Sequence, residues 1–419
     1  MGENSTPKET RKTGLHFGYL VVAALVITSF VPLSLGLSCA GIFYPSVSES
    51  LGVEKGMLSY YTTFLWVAAL VTLPILGKLL NNRDARLCLT GAVVIIVAAF
   101  LWLSCMTELW QFYVAAFAMG IGIAMLLFLA PSTLINRWFS KRGSAMLGLA
   151  MAFTGVGGVV WSSVGGVLIQ SIGWSATYLV FAALSACTIP VTLLMVRSRP
   201  SDKGLLPVGD EGATDNVETS DSQGVTASEA YRTPAFLLIC AICFFLNIGM
   251  YVYFMIPSYA TTLQIGLALP LLGATASSVA MAGQTISKLA LGAVGDAKPQ
   301  TSTVVTLLMG IAGIALFALF AESALAYYAA ALLFGAYYGI TNVMMPLFTR
   351  NAFGNKDYAK IYAKVSMVAS VSNAVSALIW GTLIDATQSF LPMFIGVAVL
   401  MALTIAAVVA LGRLSKRTA

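Results

Sequence analysis

"GIGIAMLLFLAPSTLINRWF", residues 120–139, and "GAYYGITNVMMPLFTRNAFG", residues 335–354, decide the fold when laid side by side. Each begins with a glycine pair, Gly120 and Gly122 or Gly335 and Gly339, and each carries a proline, Pro131 or Pro346. Each closes on a short Asn/Arg segment before Phe139 or Phe353. A helix this apolar has no polar face to offer water, and it belongs in the ~30 Å hydrocarbon core of a bilayer. A second pair supports the first: "FYPSV" (43–47) ends one apolar stretch and "MIPSY" (255–259) ends another. Prolines at matching depths kink matching helices, so the chain reads as two related halves.

Working outward, apolar spans long enough to cross occur at 17–40, 57–79, 87–105, 110–135, 144–170 and 174–196. In the second half they lie at 234–258, 271–293, 302–320, 325–349, 358–384 and 388–411. The composition agrees, with 58% hydrophobic and only 10% charged residues among 419, against roughly 25% charged in soluble domains. Between the halves, residues 200–230 are rich in Ser, Asp, Glu, Gly and Thr and read as a loosely ordered connector. The predicted organisation is a tail (1–16), a six-helix bundle (17–196), a linker (197–233), a second bundle (234–411) and a tail (412–419). The first span is too long, and its start too polar, for a cleaved signal peptide.

The net charge of +6 reports topology. Basic residues fall in the first tail (Lys8, Arg11, Lys12) and in the loops after spans 2, 4, 6 and 10, including Lys78, Arg83, Arg137, Lys141, Arg197 and Arg350. The opposite loops hold Glu49, Glu54, Glu108, Glu322 and Asp385. This pattern places both termini in the cytoplasm and argues against a nucleic-acid partner. Short loops suit a protein of a prokaryotic cytoplasmic membrane, and a monomer is expected. Six cysteines form no disulfide framework, and Cys240 and Cys243, although spaced as a redox pair, lie in an apolar helix where thiols stay unreactive. No metal cluster, phosphate loop or acid-base constellation emerges, so neither an enzyme nor a cofactor is expected.

Twelve spans in two halves joined by such a connector resemble the major facilitator superfamily over essentially the whole chain. That family's 2-3 loop, G-x-L-A-D-R-x-G-R-K, is similar to "GKLLNNRDAR" (77–86), which keeps Gly77, Leu79, Arg83 and Arg86 but has Asn81 in place of the acid. "GAVGDAKP" (292–299) retains Gly292, Gly295 and Asp296. The resemblance implies an all-α membrane protein of two pseudo-symmetric six-helix bundles, with Gly77, Arg83, Gly292 and Asp296 as a conformational latch. Physically, glycines let helices approach closely and an acid can meet a helix N-terminus in the other half. "NRWFSKRGSAMLGLAMAFTGVGG" (136–158) and "AGIFYPSVSESLGV" (40–53) more narrowly resemble the monocarboxylate porters and oxalate-formate antiporters.

"AGQTISKLALGAVGD", residues 282–296, then places a lysine in the apolar region. Lys288 lies about eight residues, roughly 12 Å, before Asp296, where an ionised side chain costs a few kcal/mol. No Asp or Glu occupies the middle of any span. Gln284 shares its helix face, with Thr285 and Ser277 or Ser278 beside it, as suits a water-filled cavity. Snorkelling toward the cytoplasm or pairing with Asp296 is the alternative. In the resembled families a basic residue on the eighth helix binds substrate carboxylate, and basic-x-x-x-Gly-x-x-x-Asp matches Lys288, Gly292 and Asp296. Where oxalate-formate antiporters have a second basic residue, this chain has Ser370, with Lys364 nearer the cytoplasm, which favours a monocarboxylate. Further candidates are Asn247, Asn342 and Asn373, with Tyr44, Tyr61, Tyr251, Tyr253, Tyr337 and Tyr338. The expected activity is secondary transport of a small organic anion by alternating access, with protons or a counter-anion as partner. Lys288 would neutralise the carboxylate, with Gln284, Asn247, Asn373, Ser370, Tyr44, Tyr251 and Tyr337 shaping the site. Efflux of amphipathic compounds, or a membrane sensor on a transporter fold, are the competing readings.

Overall fold

The computed structural model describes residues 16–53, 55–209, 224–269 and 272–418. The basic tail residues Lys8, Arg11 and Lys12 and the middle of the connector, 210–223, lie outside these. The first half supplies α1 (Phe17–Tyr44), α2 (Lys55–Asn82), α3 (Ala85–Ser104), α4 (Leu109–Trp138), α5 (143–172) and α6 (174–195). The second supplies α7 (Pro234–Thr261), α8 (Leu272–Gly295), α9 (Pro299–Phe320), α10 (Ala324–Phe353), α11 (Tyr358–Thr387) and α12 (Leu391–Thr418). Helices are what these residues can form in lipid, where each backbone N–H and C=O must find its partner within the segment.

Among the described residues, ten helical stretches are long and apolar enough to cross a membrane. One of them, Gly143–Met195, is two crossings, α5 and α6, joined at Gly173. The φ of 81° there is one that a side chain would oppose. Helix α8 falls short of that apolarity because it carries Gln284, Thr285, Ser287 and Lys288, and it supplies the twelfth crossing.

The matched prolines leave a common mark. Helix α1 breaks at Ser38–Cys39, before Pro45, and α4 has a π-helical segment, Ala124–Leu129, before Pro131. Helix α7 breaks at Met250, before Pro257, and α10 at Gly339, before Pro346. A proline frees the carbonyl one turn back and crowds it, so the preceding turns loosen. Side chains then satisfy carbonyls near these irregular turns: Tyr337 Oη donates to Leu246 O (2.6 Å) and Trp380 Nε1 to Ile248 O (3.0 Å) in α7. Trp161 Nε1 donates to Phe30 O (2.7 Å) in the π-helical segment of α1, Ser29–Leu33, around Pro32.

Two seams join the halves, α5 against α8 and α2 against α11. At the first, backbone meets backbone: a Cβ on Gly148 would lie 2.8 Å from Gly292 Cα, and one on Gly292 equally near the Ser144 carbonyl. At the second, a Cβ on Gly77 would lie 2.7 Å from Ala363 Cβ and 2.9 Å from the Ala359 carbonyl. Small residues at these places let the helices close in, as packing without a hydrophobic driving force requires.

The connector departs from the expectation of loose order in its described parts. Val208 forms an isolated β-bridge with Phe139, just past α4, and its amide donates to Trp138 O (2.8 Å). Gly224 bridges Gly354, just past α10, and the Ala227 amide donates to Asp357 Oδ2 (3.1 Å). The two aromatic ends matched in sequence, Phe139 and Phe353, are thus where the connector docks. Ser198 Oγ also donates to Asp84 Oδ1 (2.9 Å), and His16 Nε2 lies 3.1 Å from Leu206 O. These contacts gather the connector, the start of α1 and the 2-3, 4-5 and 10-11 loops at one end of the molecule, called here the connector end.

Candidate functional site

Between the halves lies a cavity of about 330 Å³, within the ~300–1,000 Å³ common for small-molecule sites. The four irregular helices supply most of its wall: Ser38, Gly41 and Tyr44 from α1, Leu127 and Phe128 from α4, Asn247 and Met250 from α7, Tyr338, Thr341 and Asn342 from α10. Loosened turns in these helices thus lie where a ligand would need room, a recurrent use of non-α segments. Thr62 and Trp66 of α2, Thr154 of α5, Gln284 and Lys288 of α8 and Asn373 of α11 complete the ring.

Lys288 is 1% exposed. Its Nζ donates to Thr154 Oγ1 (2.7 Å) and to Gln284 Oε1 (2.8 Å), and the Thr154 hydroxyl donates onward to Met151 O (2.8 Å). Both partners are neutral. An ammonium has three donors, so one is left for a ligand. Lys288 neither snorkels nor pairs with Asp296, whose carboxylate is used elsewhere. Because Thr154 belongs to the first half and Lys288 to the second, this hydrogen bond also crosses the seam.

From that bond toward the connector end the halves are closed. Asp296 accepts from the Ser144 amide (3.2 Å), its own amide donates to Ser144 Oγ (3.1 Å), and Ser144 Oγ in turn donates to Gly292 O (2.6 Å). The acid of one half therefore sits at the start of α5 in the other, where the amides and helix dipole favour negative charge. Arg142, just before α5, takes a φ of 61°, turning the chain so that these amides face Asp296. Arg350 at the end of α10 adds donations to Phe139 O and Ser140 O (both 3.3 Å). The α2–α11 seam has a different character: Asn81 donates to Asn82 within its own half, and the exposed Arg83 has no side-chain partner among the described residues. Gly292 and Asp296 stand at a polar contact between the halves, and Gly77 provides close packing without one.

Of the residues expected to shape the site, Lys288, Gln284, Asn247, Asn373 and Tyr44 line the cavity. Asn373 Nδ2 lies 3.5 Å from Asn247 Oδ1, and Asn247 Nδ2 donates to Cys243 O (2.8 Å). Three expectations need correction. Tyr337 is fully buried with its hydroxyl on Leu246 O, one helical step from the position that faces the cavity, which Tyr338 occupies. Ser370, also fully buried, donates to Ser366 O (3.2 Å), on the part of α11 nearer the connector end. Tyr251 is half-buried away from the cavity, which its neighbours Met250 and Tyr253 line.

The sequence reading missed Thr154, Thr62, Thr341 and the aromatic wall of Trp66, Phe128 and Phe254. A threonine inside a glycine-rich helix was a usable signal for Thr154, because the flanking Gly148 and Gly155 both face α8. Nothing in the pattern sets Trp66 or Phe128 apart from packing aromatics.

Comparison with known proteins accords with this architecture. The profile of the Major Facilitator Superfamily matches residues 26–377. The chain is 24% identical to the MFS-type transporter pynF of Aspergillus niger over 272 residues, 62% of this chain and 57% of that one. It is also 24% identical to the aspyridones efflux protein apdF of Emericella nidulans over 245 residues, 57% of this chain and 44% of that one. The chain thus spans about half the length of these curated relatives. Among solved structures, the proton:xylose symporter XylE bound to 6-bromo-6-deoxy-D-glucose superposes with a TM-score of 0.75 at 11% identity, covering 94% of both chains. At that identity the likeness speaks for the fold.

Proposed function

The chain belongs to the Major Facilitator Superfamily, and from that premise we propose that it is a secondary transporter of an organic anion with a single acidic group. The observation that carries this reading is Lys288, buried at the cavity wall and hydrogen-bonded to two neutral oxygens. A resident carboxylate would hold the ammonium permanently. Neutral partners leave its charge for an anion that comes and goes, and low dielectric strengthens that attraction. One cation suits one carboxylate, so a monocarboxylate is the substrate class, exchanged for a counter-anion or carried with a proton. Trp66, Phe128, Met250 and Phe254 offer that acid's carbon skeleton an apolar wall.

Export of an amphipathic compound is the second reading, favoured by a relative named for the efflux of aspyridones. The two readings share the lysine where the exported compound is itself an acid. With the basic loops read as cytoplasmic, the connector end faces the cytoplasm of a prokaryotic cell and the cavity opens outward.

The test is uptake of formate, acetate, lactate, pyruvate, oxalate and larger amphipathic acids by proteoliposomes, with and without a proton gradient or internal anion. Saturable flux of at least one monoacid, abolished in Lys288→Ala, is expected. Flux that persists in Lys288→Ala, or that carries only uncharged or cationic compounds, overturns the reading.

A further inference from the structure

On the outer face of the second bundle, a groove of about 470 Å³ runs between α8 and α9 with α10 as its floor. Its walls are apolar and largely exposed: Ile286, Ala290 and Val294 from α8, Val305 and Met309 from α9, Leu332 from α10. Its buried hydroxyls are already engaged, Ser287 Oγ with Ala336 O (2.7 Å) and Thr306 Oγ1 with Ser302 O (2.9 Å). The α8 wall runs from Gly283 to Val294, roughly 16 Å at 1.5 Å per residue, which is the depth of one leaflet.

At the connector end the slot changes character. It runs into Lys298, Thr301 and Ser302, where the 22-residue helix α9 begins at Pro299. Lys298 is exposed, and its ammonium has no hydrogen-bond or ionic partner among the described residues. The Gln300 side chain, one residue into α9, packs on Gly412 of α12. An apolar slot one leaflet deep, ending at a lysine and the positive end of a helix dipole, is the complement of an acyl chain with a phosphate at its head.

We infer that this groove holds an anionic glycerophospholipid, its acyl chain along α8 and its phosphate at Lys298 and the start of α9. The lipid braces the back of the helix whose front bears Lys288, Gly292 and Asp296.

The experiment compares retention of phosphatidylglycerol and phosphatidylcholine by the detergent-purified full chain, by native mass spectrometry and by the melting temperature after each lipid is added. The wild type is expected to retain phosphatidylglycerol preferentially and to melt several degrees higher with it. Lys298→Glu, an exposed change that leaves folding intact, should reduce retention about fivefold or more. Ala290→Trp, which fills the slot, should abolish retention. Equal retention of the two lipids by the wild type, or wild-type retention in Lys298→Glu, overturns the inference.

Discussion

Lys288 is a costly residue for its position, and that cost separates function from stability. An ammonium taken out of water without an ionic partner is destabilising, and an apolar side chain of similar volume avoids that cost. Lys288→Met should therefore melt at or above the wild-type temperature while losing anion transport. A variant that both unfolds and fails to transport would make the lysine structural. Thr154→Val removes one acceptor and keeps the shape, so the ammonium loses a positioning partner. The expected result is a several-fold rise in KM for the anion, measured beside an unchanged melting temperature. At this scale the sequence was legible where chemistry was conspicuous, since a lone lysine among apolar residues declares itself. It was illegible where one helical step decides, as between Tyr337, which serves a carbonyl of α7, and Tyr338, which faces the cavity.

Helices and their ends carry the gate. Gly148 and Gly292 touch through their backbones, so Gly148→Leu should keep the connector end from closing. Labelling of a single cysteine placed at Tyr44 should then slow markedly, and an unchanged labelling rate would contradict the assignment of this seam as the closing contact. Asp296→Asn keeps a cap but loses the charge at the start of α5, a loss of about 0.3–1 kcal/mol of closure, read as a shift of the same labelling rate in the same direction. The connector docks on an acid of the 10-11 loop. Burial opposes ionisation of Asp357, but the Lys360 ammonium (2.7 Å) and the Ala227 amide hold its carboxyl below the usual range. A depressed folded value stabilises docking above the unfolded pKa of about 3.9, and docking is lost as pH falls through the still lower folded value. Hydrogen exchange at Ala227 should accelerate at that acid edge, and Asp357→Asn should show fast exchange already at neutral pH. The matched prolines made the irregular helices predictable. The docking of the connector was not, because a two-residue bridge leaves no periodicity to read.

Across the whole molecule, two bundles meet at two seams of unequal make. Membrane composition and the repeat made the twelve-helix architecture plain, yet the halves differ where the repeat has diverged, at Asn81 and Asp296. The α5–α8 seam is fastened by Asp296, Ser144 and the Lys288–Thr154 bond, with Arg350 close by. The α2–α11 seam rests on Gly77 against Ala359 and Ala363. Cysteine pairs that staple α2 to α11 should therefore be labile to reduction and quickly re-formed, while pairs across α5 and α8 persist. Equal lifetimes for the two staples would contradict this order. Two equal seams would let the halves seesaw about a central fulcrum. An acid retained on one side only leaves the molecule fastened along one edge, α5 and α8, and merely shut along the other, α2 and α11, so an opening toward the connector end should begin at α2 and α11.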